Sequence, residues 1–108
     1  MIIPRVYPAA WDDFNEIIRY LAAQAGADIA LAFDACVFEH FAEIQRTPLL
    51  YRIRKFDIRR VNLQPQFGEF YIAYIIWNDK VIVVAIAHAK RRPFYFRHRI
   101  KAAKRMFQ

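Results

Sequence analysis

The chain has 108 residues, enough for one domain around a single modest core. Hydrophobic residues make up 57% and aromatics 17%, but no unbroken apolar run is long enough to span a bilayer. The net charge is +7: residues 1–50 hold three basic and seven acidic side chains (−4), whereas residues 51–108 hold fourteen and three (+11), which points to a polyanionic target or acidic protein partner for the second half.

Ile2, Ile3 and Val6 read as a short first strand, and Pro4 confines it to a sheet edge. Pro8 leads into a helix in which Trp11, Phe14, Ile17, Ile18, Leu21, Ala22 and Ala25 recur at helical spacing. Asp12 and Asp13 read as favourable charge in its first turn. Gly26 stops this helix, and Asp28 is the expected cap of a second one that runs to about Arg46 before Thr47-Pro48. The second helix carries two apolar stripes, Ala30-Phe33-Val37-Phe41-Ile44 and Leu31-Ala35-Phe38-Ala42. One stripe is expected to meet the first helix and the other a sheet.

After a loop over 47–55, FDIRRVNL predicts a strand with Arg59 and Arg60 on opposite faces. QPQFGEF reads as a turn broken by Pro65 and Gly68. Phe70–Trp77 and Lys80–His88 read as a hairpin around an Asn78-Asp79 turn, and VIVVAIA, apolar on both faces, belongs in a sheet interior. The tail is predicted helical at HRIKAAKRMF. The whole chain, residues 1–108, reads as one α+β domain, with an N-terminal edge strand and a helical hairpin packed on a small, mostly antiparallel sheet that ends in a basic tail. So apolar a chain is suited equally to a well-filled core or to a surface that a partner covers. The segment MIIPRVYPAAWDDF has no charged leader before an apolar core, so no secretory signal is expected. A lone Cys36 fits a reducing cytosol.

Several kinds of chemistry drop out. His40, His88 and His98 lack paired metal-ligand spacing, and two glycines make no phosphate loop, so no metal or cofactor is expected. The chain has no serine, and Cys36 lies mid-helix among apolar neighbours. What remains is a basic and aromatic cluster, because residues 88–108 contain eight Lys or Arg and no acid. His88 closes the last strand, Lys90, Arg91 and Arg92 follow, and Pro93 sets the chain before Phe94-Tyr95-Phe96. Arg97 continues the run, and Arg59 and Arg60 add cations from the neighbouring strand. Guanidinium groups beside aromatic faces suit single-stranded nucleic acid. Metal-free RNA cleavage needs the same types: a base for the 2′-hydroxyl, a cation for the phosphorane and an acid for the leaving oxygen. The plainer roles are a backbone hydrogen bond for His88, packing of the tail for Tyr95 and a solvated strand face for Arg59 and Arg60.

The segment AAWDDFNEIIRYLAAQAGADIALAFDACVFEHFAEIQRTP, the strand IRRVNL and the hairpin FGEFYIAYIIWNDKVIVVAIAHAKRRPFYF together resemble the RelE/ParE superfamily of toxins from type II toxin–antitoxin modules. The ending His-x-x-Arg-Arg-Pro-x-Tyr is the most specific part. The resemblance implies a small cytoplasmic, plasmid-stabilisation type toxin that arrests growth and is neutralised by a cognate antitoxin. ParE-like members poison DNA gyrase, and RelE-like members cut mRNA on the ribosome. The long helical hairpin favours the ParE-like branch. Carried over, RelE-type roles would fall to Arg91 and Lys90 as transition-state cations and to Tyr95 as the tail tyrosine. RelE-like enzymes keep an arginine where this chain has Phe70-Tyr71-Ile72, and histidine serves in some relatives, so His88 is added as acid or base. Arg59, Arg60, Arg92 and Arg97 are the expected target contacts. A free-standing nucleic-acid-binding module is the reading from another class.

Overall fold

A computed structural model describes residues 2–108. Strand β1 (Arg5–Val6) leads into helix α1 (Pro8–Ala25) and helix α2 (Ala27–Arg46). A loop and a single 3-10 turn (Lys55–Asp57) precede β2 (Arg59–Leu63), β3 (Phe67–Trp77) and β4 (Lys80–His88), and helix α3 (Arg99–Met106) ends the chain. The four strands form one sheet in the order β1-β4-β3-β2, with β1 parallel to β4 and the other pairs antiparallel. The α+β architecture is thus the expected one. No described helix is long and apolar enough to cross a membrane.

The interior position of β4 accounts for its sequence. Residues 81–87 are all buried because both faces of the sheet are covered. Val81, Val83 and Ile86 join the core under α1 and α2, together with Phe14, Phe33, Val37, Phe41 and Ile44. Ile82, Val84, Ala85 and Ala87 pack on the opposite face against Phe96 and Ala103 of the tail. The register slips by one residue opposite Ala73/Tyr74, so Val84 and Ala85 lie in the same core cluster and the alternation resumes beyond them. The basic tail is therefore structural as well as charged. Lys104 lies 4.6 Å above the Trp77 ring and shields it.

Several sequence expectations are corrected. The first strand spans only Arg5–Val6, and Ile2 is exposed. β3 begins at Phe67 rather than Phe70, because Phe67 is buried and pairs with Leu63 beyond an irregularity in the ladder. The strand expected over FDIRRVNL begins at Arg59, since Phe56 and Asp57 adopt positive φ (60° and 61°), which no strand accommodates. Gly26, at φ 95°, makes the junction between the two helices, and Asp28 sits in the first turn of α2 without capping it. Asp12 and Asp13 lie beyond the first turn of α1, where no acid stands. The second stripe of α2 is only partly covered: Phe38 meets Trp11 and Phe14 of α1, whereas Leu31 is 67% exposed.

Candidate functional site

His88 ends β4, directly opposite Phe70, and its ring meets the Phe70 ring edge-on at 5.0 Å. The backbone N–H of Lys90 donates to His88 Nδ1 at 3.0 Å, and that of Arg91 donates to the His88 carbonyl at 3.0 Å. These two bonds turn the chain out of the sheet. They also set the neutral ring's tautomer, because a nitrogen that accepts leaves the proton on Nε2. The exposed Arg91 guanidinium lies 3.9 Å over the Tyr95 ring. Burial pushes the Tyr95 phenol up, and Asp13 adds to this while Arg91 and Arg99 oppose it, so the hydroxyl stays protonated at neutral pH. His88, Arg91 and Tyr95 thus share a small cleft of about 90 Å³. Lys90 is exposed, and its recorded part in this arrangement is the backbone N–H.

Two acids on α1, Asp13 and Glu16, border the same cleft. Asp13 was expected as helix-end charge. Instead it pairs with Arg99 at 2.7 and 3.2 Å, and its Oδ2 also accepts the backbone N–H of Ile86 at 3.0 Å. Burial alone would lower the Arg99 guanidinium, but the Asp13 hydrogen bond and charge outweigh it and hold it above its ordinary value.

Arg59 and Arg60 diverge, as strand alternation requires. Arg59 donates to the Tyr51 carbonyl at 2.5 Å. That loop is tied down further by Tyr51 donating to Glu43 and by Tyr74 donating to the Pro48 carbonyl at 2.6 Å. Burial first, then the Glu43 bond, pushes the Tyr51 phenol up to about 12. Arg60, on the other face, lies 3.9 Å over the Tyr71 ring, and its Nε donates to Asn62 Oδ1 at 3.3 Å. Burial raises the Tyr71 phenol, against the opposing pull of Arg60, Arg54 and Arg91. Tyr71 therefore lies under Arg60, with Arg54 lining the same hollow. Arg92 and Arg97 border a hollow formed with Pro93, Phe94 and Tyr95, and Arg97 lies 5.2 Å from the Phe56 ring.

The candidate residues therefore do not form one site. His88, Arg91 and Tyr95 meet beside α1, whereas Arg60 belongs to a second hollow with Arg54, Ile58, Tyr71, Phe94 and Phe96. Arg54 and Glu16 escaped the sequence reading, and Asp13 and Tyr71 entered it only as helix-end charge and as a place where RelE-like enzymes keep an arginine. Tyr71 alone left a usable signal, because its parity along β3 puts it on the tail side. Arg54 sits in an irregular loop, where no periodicity places a side chain.

Residues 5–93 match the family model described as the ParE toxin of type II toxin-antitoxin system, parDE. No curated protein matches the chain.

Proposed function

The chain belongs to the ParE toxin family of type II toxin–antitoxin systems, and on that footing we propose that it arrests growth by inhibiting DNA gyrase in the cytoplasm until an antitoxin protein covers it. Besides the match over residues 5–93, the chemistry around His88 supports this. Its Nδ1 is occupied by the Lys90 N–H, so the neutral ring presents a donor rather than a base. The Tyr71 and Tyr95 phenols are both raised by burial and stay protonated. Asp13 is engaged by Arg99. The cluster thus offers cations, rings and proton donors, which suits binding better than removal of a 2′-hydroxyl proton.

A second reading, ribosome-dependent mRNA cleavage, is favoured by Arg54 and Arg60 lining one hollow with Tyr71, cations able to stabilise a phosphorane. Purified protein tested in parallel in a gyrase supercoiling assay and by primer extension on translating ribosomes decides between them. Loss of supercoiling with intact mRNA is expected, and codon-dependent cuts with untouched supercoiling would reverse the order. Unimpaired growth of a bacterial host that makes the soluble, folded chain alone would remove both.

A further inference from the structure

The hollow between β2, β3 and the turn at 93–96 lies apart from the His88 cleft. Its volume is about 160 Å³, with Arg54 and Arg60 beside the Ile58, Tyr71, Phe94 and Phe96 side chains. A cavity of that size, walled by apolar side chains, holds one six-membered ring. Arg60 is preset: its guanidinium lies 3.9 Å over the Tyr71 ring and is fixed at Nε by Asn62, which leaves its terminal nitrogens to receive an anion. Phe56 and Phe94 both stand at positive φ (60° and 59°) and meet edge-on at 5.5 Å. Bulky side chains occupy that backbone region only where the surroundings hold them there.

The flanking surface indicates the kind of occupant. Ile53 and Phe56, on either side of Arg54, are 52% and 46% exposed. A nucleic-acid backbone has nothing to cover aliphatic side chains with, whereas a protein segment does. We propose that this hollow and the adjoining segment 53–56 form a docking surface for an acidic segment of the antitoxin, with one aromatic side chain in the cavity and flanking carboxylates on Arg54 and Arg60. This rests on the reading of the chain as an antitoxin-controlled toxin. The +11 balance of residues 51–108 supplies the charge complementarity.

The test uses the full-length chain, labelled with ¹⁵N, and a synthetic peptide of about ten residues bearing one tryptophan among aspartates and glutamates. The amides of Arg60, Tyr71 and Phe94 are expected to shift. Replacing the tryptophan by alanine, or the acids by their amides, is expected to weaken binding by about tenfold or more. Arg54→Gln, an exposed change that leaves the fold intact, is expected to weaken it several-fold, and Arg60→Gln with an unchanged melting temperature more. Absence of binding, shifts confined to other amides, or equal binding of the alanine peptide would each overturn the proposal. So would tighter binding of an oligothymidylate at the same amides, which would assign the hollow to single-stranded nucleic acid. Growth arrest by the chain alone is scored separately, so a failed docking surface is distinguishable from a failed toxin reading.

Discussion

Asp13 and Arg99, 86 residues apart, close the open edge of β4 where β1 ends. β1 pairs with β4 only at Ile82 and Val83. Beyond them the Ile86 N–H donates to Asp13 at 3.0 Å, and Arg99 donates to the Val84 carbonyl at 3.0 Å. One ion pair therefore satisfies two ladder groups left without a strand and ties α1 to the start of α3. An edge closed this way offers no template to another strand.

Removing either partner leaves the other charge, with only 13–14% of its side chain exposed, without its counter-ion. Asp13→Ala and Arg99→Ala are each expected to cost about 3 kcal/mol, read by urea denaturation. The double variant should cost clearly less than the two losses added. Strict additivity would show that the two residues do not act as a pair.

Arg59 and Arg60 should separate stability from action. Arg59→Ala gives up the bond to the Tyr51 carbonyl and is expected to lose about 1–2 kcal/mol. Arg60→Ala gives up a stack on Tyr71 and should lose about 1 kcal/mol or less. Thermal melts set beside growth-arrest assays of both variants check the split, with Arg60→Ala expected to impair binding of target or partner more than its small effect on stability.

At the His88 cleft the order of effects reports the mechanism. For a gyrase inhibitor, Arg91→Ala is expected to raise the concentration needed to block supercoiling by about tenfold, with the melting temperature nearly unchanged because the guanidinium is exposed. His88→Ala should change it by no more than about threefold. A loss on the order of a hundredfold or more for His88→Ala, measured as mRNA cutting on ribosomes, would instead mark the ring as a proton-transfer group.

Tyr51 predicts an alkaline limit. Its phenol is pushed up to about 12, by burial first and then by the bond to Glu43, so the folded state holds the proton more tightly than the unfolded chain. That contribution is complete below the ordinary tyrosine value of about 10 and is lost as pH rises toward 12. Melting temperatures followed from pH 8 to 12 should fall less steeply for Tyr51→Phe than for the unaltered chain. Equal slopes would mean that Tyr51 does not carry the effect. Tyr71, Tyr74 and Tyr95, raised in the same direction by burial, keep part of the slope in both.

By itself the sequence determined the order of the elements and most of the core. Helical spacing selected Ala30, Phe33, Val37, Phe41 and Ile44, all of them buried, because burial of one helix stripe is a local consequence of a 3.6-residue period. The apolar run of β4 likewise required cover on both faces. Local pattern could not say how far the second α2 stripe would be covered: Phe38 meets Trp11 of α1, and Leu31 was left to solvent. Nor could it show that Asp13 would find Arg99, or that Arg54 and Arg60 would line one hollow with Tyr71. The site was legible only in part, for the same reason. His88, Arg91 and Tyr95 lie within eight residues of sequence, so their meeting is nearly local. Arg60 and Tyr71 meet through strand register, and Arg54 reaches the same hollow from an irregular loop. Register and loop path follow from how the whole chain packs, so these partners were settled only by the tertiary structure.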